Sequence, residues 1–473
     1  MPNKSQRIAI LGAGPTGLTA ALTLLKQGYD VTVLERSDQV GGLCGTRVFE
    51  GKHGTYRFDY GGHRFITRNE SLLALVQHLV GDELLLSSRS SVIRLGGRTY
   101  QYPLAIGDLL RHAPFRLLLG ALKDLSLMLF QQRTEDSNYA DWIQQRFGST
   151  LYQHFFKGYT EKLWGIPAEH LSADWAAQRI SLMDLKDVAK RLLHIGQHTP
   201  RTYARRYRYP KYGFGQLFEH MAEEIRTLGG HIQLQQTVTG FTHAQGRLQS
   251  VHTQTPTGKD ELAVDTVIAT LGMPDMVRMT GGTSQLRFRA LRFLNLPLDL
   301  DNVSPHTWQY LSDPDIFATR LQEPKRRSPF MAPTGKTSIM LEIPCEQGDA
   351  TWNLSTEALM AKMQPDLASL NVPVERLTGE CFTAYADQAY PVLDIHYQRH
   401  KQQDIQHLAQ FDNLLMCGRQ GSFRYIFSDT AMEMGQMAAQ SLIEGTDKQH
   451  SIYNYRNEQT VIEVDSVIDR KKT

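Results

Sequence analysis

Hydrophobic and polar positions change period twice within the first forty residues. Arg7–Leu11 (RIAIL) is a short apolar run of the kind that fills a buried strand, and Asp30–Leu34 (DVTVL) is a second. Between them, Pro15–Gln27 is patterned as a helix that Gly28 stops. The pattern therefore predicts a strand, a helix and a parallel return strand. Farther along, Arg89–Tyr102 alternates as a hairpin with Gly96-Gly97 at its turn. From Leu104 to about Ile195 the pattern is helical and poor in strands. Phe214–Leu228 is predicted as a helix, His231–Gln235 as a strand and Thr237–Thr253 as a hairpin around Ala244–Gly246. Asp265–Thr270 is an apolar run suited to rejoining a parallel sheet. Leu291–Tyr390 holds short β-like runs broken by proline, among them Thr307–Leu311, Ser338–Ile343 and Glu380–Tyr385. A strand at Asn413–Cys417, a turn at Gly418–Gly421 and a helix at Asp429–Ile443 close the pattern.

These elements predict an α/β fold. Its first unit is a discontinuous, Rossmann-like nucleotide-binding domain built from residues 1–75, 211–285 and 405–447. A helical subdomain at 104–200 is inserted, and 86–103 with 286–404 form a second, antiparallel β-sheet domain for substrate. The 473 residues are enough for two or three units with real cores. Basic and acidic residues number 51 and 49, so the balance gives no reason to expect nucleic acid as a partner. The local cluster Arg201–Arg208 (RTYARRYR) is a solvated face or a phosphate contact. Cys44, Cys345, Cys381 and Cys417 lie far apart without C-x-x-C spacing, which argues against a disulfide scaffold and a zinc site. No metal ligands and a reducing, cytoplasmic setting are expected. No signal peptide is read in the six residues before the first strand, and the terminal DRKKT is expected to fray. The apolar stretch Leu104–Phe130 contains Asp108, Arg111, His112, Arg116, Lys123 and Asp124, too many ionisable groups for an integral membrane span. Leu117–Phe130 reads as an amphipathic helix against a core, with a peripheral membrane contact as the alternative.

The first βαβ unit carries specific chemistry. Gly12, Gly14 and Gly17 form G-x-G-x-x-G directly after the strand: one glycine for the tight turn, one for backbone approach to a pyrophosphate, one for helix–strand packing. The helix N-terminus offers free N–H groups and the positive end of its dipole to phosphates. Glu35 ends the second strand and can accept hydrogen bonds from both hydroxyls of a ribose, while repelling a 2′-phosphate. An FAD or NAD adenosine is thereby favoured over that of NADP.

The glycine doublet Gly41-Gly42, completing E-R-x-x-x-x-G-G from Glu35 and Arg36, resembles the FAD-binding pattern of the amine oxidase and protoporphyrinogen oxidase superfamily. The late segment CGRQGSFRYIFSD resembles that superfamily's second FAD segment. Three stretches are similar to UDP-galactopyranose mutase: DYGGHRFITRN (Asp59–Asn69), FFKGYTEKLWG (Phe155–Gly165) with Leu171 and Arg179 after it, and GRQGSFRY (Gly418–Tyr425). AYPVLD (Ala389–Asp394) is similar to that family's tyrosine-proline substrate element. The resemblance implies FAD held by Gly12, Gly14, Pro15, Thr16, Gly17, Glu35, Arg36, Gly41, Gly42, Leu43, Gly61, Gly62, His63, Val238, Gly418, Arg419, Tyr425 and Asp429.

It further implies a mutase that interconverts the pyranose and furanose rings of a nucleoside-diphosphate sugar, with reduced FAD supplying N5 as the nucleophile. A reductant such as NAD(P)H, a place in polysaccharide biosynthesis and an open question of homo-oligomer formation come with it. Arg179 matches a diphosphate-binding arginine, and Arg320 is the candidate for its partner, guanidinium being suited to two parallel bonds to phosphate. Tyr159, Tyr390 and Tyr425 match tyrosines that hydrogen-bond phosphates, Trp164 an aromatic wall near the sugar, and His63 a histidine beside the flavin ring. Cys44 reads as a small buried residue. The alternative is an FAD-dependent oxidase or desaturase of the protoporphyrinogen or amine oxidase type, which the superfamily motifs fit equally. Two positions depart from the mutase pattern: Phe427 stands where an acid is usual, with Asp429 two residues on, and Phe423 stands where tyrosine is common. APTGKTS (Ala332–Ser338) lacks the first glycine of a phosphate-binding loop and reads as a turn before a strand.

Overall fold

The computed structural model describes residues 6–102, 104, 106–130, 134–179 and 206–455, apart from the side chains of 106 and 177–179. Its first layer is a five-stranded sheet, every pair of which is parallel. The strand order is Leu414–Met416, Thr266–Ala269, Arg7–Leu11, Asp30–Leu34, His231–Gln233. The alternation of strand side chains divides the core cleanly. Ile8 and Ile10 face Leu18, Leu22, Phe218, Met221 and Met432 on one side, whereas Ala9 and Leu11 join Val267 and Ala269 on the other.

The helices Pro15–Leu25, Gln216–Thr227 and Ser428–Glu444 cover the first face. The first helix is shorter than predicted because its last turn tightens: Gln27 and Gly28 donate to Leu24 and Leu25 carbonyls three residues back, and Gly28 leaves at φ 80°. The outer helices meet the first at close range. A Cβ on Gly435 would lie 2.3 Å from the Thr16 carbonyl oxygen, so only glycine permits this crossing.

The second layer is a seven-stranded sheet. Its order is Phe382–Pro391, Phe288–Leu298, Thr337–Cys345, Arg320–Gln322, Trp308–Leu311, Ser91–Leu95, Arg98–Gln101. It is antiparallel as expected, except that Trp308–Leu311 runs parallel to Ser91–Leu95. Those two strands belong to segments far apart in the chain, so no hairpin dictates their direction. The strand predicted at Glu380–Tyr385 continues to Pro391 and carries Tyr390 into register with Arg289. A three-stranded meander, Thr237–Ala244, Arg247–Thr255 and Gly258–Ala263, packs alongside, and Arg206–Pro210 pairs with Leu84–Ser88.

The strand-poor region holds Ile106–His112, Phe115–Phe130, Tyr139–Phe147, Gly158–Trp164 and Ala173–Arg179, with a π-helical stretch at Tyr152–Lys157. Asn138 caps the Tyr139–Phe147 helix by accepting from the Asp141 N–H at 2.9 Å. Residues 180–200 of the expected helical subdomain, Arg201–Arg205 of the basic cluster and the terminal DRKKT lie outside the described residues. Gly418–Gly421 is a short helical turn where a plain turn was expected, closed by the Ser422 N–H on the Gly418 carbonyl. Ala332–Lys336 does turn into the strand Thr337–Cys345, with Gly335 at φ 72°. No helix among the described residues is long and apolar enough to cross a membrane.

Candidate functional site

A cavity of about 630 Å³ opens above the C-terminal ends of the parallel strands and continues under the seven-stranded sheet. At one end lie Gly12, Gly14, Pro15, Thr16, Glu35, Arg36, Gly42 and Leu43; at the other lie Arg320, Tyr390, Arg419 and Tyr425, with Gly61, Gly62, His63 and Val238 also in the wall. Several predicted residues do not line it: Gly17, Gly41, Gly418, Tyr159, Trp164 and Asp429. Arg179 ends a helix, and its side chain lies outside the described residues.

The dinucleotide end is shaped by missing side chains. Gly12 holds φ 102°, and a Cβ there would meet the Thr270 hydroxyl at 2.4 Å. Gly17 presses the helix onto the Gly12 carbonyl, where a Cβ would sit at 2.0 Å. Gly14 differs: a Cβ there would meet nothing within 4 Å, so its bareness faces open space. Gly42 backs it, with Gly14 Cα 3.4 Å from where its own Cβ would be, while Gly41 (φ 101°) makes the turn. The helix begins at Gly14 with no side-chain cap and no acid in its first turn, leaving its positive end for an anion.

Glu35 is buried. One carboxylate oxygen accepts the Ala13 N–H at 2.8 Å and the other the Ser37 N–H at 2.9 Å. An ionised carboxylate has about four acceptor positions, so two stay available to ribose hydroxyls. Arg36 is held by two bonds of 2.6 Å to Asp387. These bare backbones, the open helix end and the anchored acid fit an adenine dinucleotide. Asp429 lies elsewhere: it is buried in the first turn of Ser428–Glu444, where its charge meets the positive end of that helix.

The middle of the cavity is the Asp59–Phe65 turn. Buried Asp59 accepts from the Tyr209 hydroxyl at 2.5 Å, the Thr46 hydroxyl at 2.6 Å and the Phe214 N–H at 3.0 Å, which pins the Gly61-Gly62 corner. Gly62 lies flush on Trp308. His63 stacks on Phe214 at 5.3 Å and places Nε2 3.1 Å from the Tyr60 carbonyl. Burial holds its pKa below the ordinary value. A carbonyl only accepts, so the neutral ring carries its hydrogen on Nε2 and leaves Nδ1 as acceptor. Nδ1 lies 4.0 Å from the Cys44 sulfur, whose thiol burial pushes up to about 12. Cys44 is thus protonated and inert, as a packing residue should be.

At the far end Arg320 is the hub. Its Nη1 donates to Glu342 Oε2 at 2.7 Å and to the Tyr390 hydroxyl at 2.8 Å, and its Nε donates to the Tyr159 hydroxyl at 3.2 Å. Glu342 is fully buried; its other oxygen accepts from Gln322, whose own amide oxygen accepts from Arg327. Tyr159 therefore reaches the site through Arg320. Arg419 completes the end: its guanidinium lies 4.1 Å from the Tyr425 ring centroid and 5.4 Å from that of Tyr390. Its Nε and Nη2 are buried without a hydrogen-bond partner among the described residues. Two buried, undischarged donors of a permanent cation beside a cavity are the donor set an anion would satisfy.

Trp164 is not a wall of this space. It ends the helix Gly158–Trp164, Gly165 (φ 67°) turns the chain away, and the fully buried indole packs against Trp175 and the back of Tyr390. Lys162 of the same motif is an anchor: its ammonium donates to the carbonyls of Leu311, Asp313, Ile316 and Ala318 at 2.7–3.1 Å, fixing the loop that leads into Arg320. Sequence reasoning also missed Glu342, Gln322, Tyr102, Trp308 and Tyr310, all of which line the cavity. Glu342 had a signal, as the one acid in the otherwise uncharged strand TSIMLEIPC; the aromatics had none.

Comparison with known proteins fits this geometry. A solved structure of reduced UDP-galactopyranose mutase superposes with a TM-score of 0.81 at 20% identity, covering 97% of this chain and 99% of that one. A putative protoporphyrinogen oxidase from Exiguobacterium sp. 255-15 superposes with a TM-score of 0.70 at 16% identity, covering 93% and 99%. Identities this low carry the fold alone. A probable UDP-galactopyranose mutase of Klebsiella pneumoniae is 29% identical over 181 residues, 37% of this chain; the match spans 44% of that relative's length. The family of flavin containing amine oxidoreductases matches residues 15–443. The chain belongs to that family and is an FAD-dependent enzyme.

Proposed function

We propose that the protein is a nucleotide-sugar mutase that interconverts pyranose and furanose forms of a nucleoside-diphosphate sugar, with segments 1–75, 211–285 and 405–447 holding FAD. Bound and reduced, FAD supplies the nucleophile for such a reaction. The observation that carries the reading is the cationic pair at the far end of the cavity: Arg419 with two unpartnered donors, and Arg320 clasped between Tyr390, Tyr159 and Glu342. A diphosphate leaving group needs donors already in place where its charge develops, in a site poor in water. Arg419 and Arg320 supply permanent charge there, and the Tyr390 and Tyr425 hydroxyls supply neutral donors. His63, neutral with Nδ1 as acceptor, orients what lies beside the Gly61-Gly62 corner.

The likeness to the mutase fold and the partial sequence match to a probable mutase support the same reading. Phe427 lines the cavity where an acid is usual, so the sugar need not be galactose. A second reading, an oxidase or desaturase, draws on the putative protoporphyrinogen oxidase fold and on the aromatic wall of Tyr102, Trp308 and Tyr310.

The test is incubation of the holoenzyme, aerobic and dithionite-reduced, with UDP-, GDP- and dTDP-sugars, following both sugar isomers and peroxide. Ring isomers formed only by reduced enzyme support the mutase. Peroxide formed aerobically from a CH–NH or CH–CH substrate, with no isomerisation in the reduced arm, replaces it with the oxidase.

A further inference from the structure

The helices Ile106–His112 and Phe115–Phe130 turn an apolar stripe away from the molecule. Leu110, Phe115, Leu119, Leu122, Leu129 and Phe130 are half to nine-tenths exposed. From Phe115 onward, separations of four, three and seven place Phe115, Leu119, Leu122 and Leu129 on one face of the helix, with Phe130 at its edge. The inward face is a different set: Leu117 and Met128 are buried, and Leu117 joins the cluster of Tyr100, Leu151 and Phe155. The stripe is therefore not needed for the fold. Six large apolar side chains exposed together on a short stretch mark a contact surface.

The charges around the stripe are sorted by sign. Asp108 is turned inward, accepting the Gln101 N–H at 2.8 Å, and also meets His112 at 3.0 Å. Asp124 accepts the Thr150 N–H at 2.6 Å. Arg111, Arg116 and Lys123 are exposed, and none has a side-chain partner among the described residues. Leucine and phenylalanine beside unneutralised Arg and Lys on one helical face is the arrangement that seats in the headgroup layer of a bilayer.

We propose that this face docks the enzyme on an anionic phospholipid surface, with the stripe entering the acyl boundary and the three cations meeting lipid phosphates. A second copy of the chain is the poorer occupant. An isologous pairing would set the three cations of one copy against the same three of the other, whereas an anionic surface complements them. The docked helix shares a cluster with Tyr102, Trp308 and Tyr310, which line the cavity, so the contact lies one layer of side chains from the site.

Co-sedimentation of FAD-loaded, full-length protein with vesicles tests this. The lipids are phosphatidylcholine alone and a 7:3 mixture with phosphatidylglycerol, each at low and at 0.5 M salt. Two variants accompany the wild type: L119S/L122S/F130S, and R111Q/R116Q/K123Q. All substituted side chains are exposed, and an unchanged flavin spectrum and Tm certify the fold. Binding to the mixed vesicles that salt weakens, that the apolar variant loses and that the charge variant reduces on the order of 100-fold supports the proposal. Wild type that stays in solution with anionic vesicles overturns it. So do variants that bind as wild type does, or a lipid-free dimer that the apolar variant dissociates.

Discussion

The buried Arg320–Glu342 pair offers the sharpest test of how the far end of the cavity is built. Glu342→Gln keeps the shape and removes the charge. An amide has one acceptor oxygen and one donor nitrogen, yet both carboxylate oxygens here receive donors, one from Arg320 and one from Gln322. One donor must then face another in a site with no exposed surface at Glu342. At a charge separation of about 4 Å and an effective dielectric near 20, the lost attraction is about 4 kcal/mol. Breaking one side of a buried pair typically costs about 3–5 kcal/mol, which agrees. Scaled for a chain larger than a typical domain, that corresponds to a Tm lower by roughly 3–10 °C. It should be measured at saturating FAD so that cofactor binding does not masquerade as stability. Restoring neutrality with R320Q/E342Q should recover at least about 1 kcal/mol relative to E342Q, because no uncompensated charge remains. Meanwhile E342Q should hold UDP severalfold more tightly by titration calorimetry, since a carboxylate no longer offsets Arg320. A Tm within 1 °C of wild type, or a double variant less stable than E342Q, would refute the argument.

Three further outcomes follow from the geometry. Gly435→Ala adds a methyl where the Thr16 carbonyl stands, so overpacking should cost about 1–3 kcal/mol of stability and lower both FAD content and Tm; an equally stable, fully FAD-loaded variant counts against the close crossing. Arg419→Met should weaken diphosphate binding roughly 10–100-fold with Arg419→Lys intermediate, from the loss of charge-assisted bonds, and unchanged affinity by calorimetry would remove Arg419 from anion binding. His63 has a depressed folded pKa, so it contributes stability above its unfolded value near 6.5 that is lost as pH falls through the folded pKa; His63→Gln should flatten that part of the Tm–pH curve, and an identical acid limb would show that His63 does not titrate there.

The dinucleotide end was legible in the chain because glycine writes backbone geometry directly into sequence. Gly12 and Gly17 stand where a Cβ is excluded, and Gly14 where the backbone faces open space. The parallel sheet was legible for a related reason, since short apolar runs separated by helical pattern leave few arrangements. The far end was harder. Arg320 acquires its meaning from Glu342, Tyr390 and Tyr159, which no local spacing relates to it. Trp164 shows the converse: its motif pointed to the site, but packing turned the indole into the core behind Tyr390. Gly435 went unnoticed because a glycine inside a helical pattern looks like a mild flaw until its neighbour across the interface is known.

The parallel sheet draws its five strands from Arg7 through to Met416, and the late helix Ser428–Glu444 crosses the first helix at Gly435. On a ribosome elongating at about 5–20 residues per second, the N-terminal strand and helix wait roughly 20–80 s for the last strand to emerge. During that interval Thr266–Ala269 lacks its outer neighbour, and the glycine-lined hollow beside Gly14 lacks its outer helix. Nascent chains that stop short of Leu414 should therefore fail to retain the flavin. A stop codon ahead of the helix Ser428–Glu444 should cost the protein its cofactor as well as its tail.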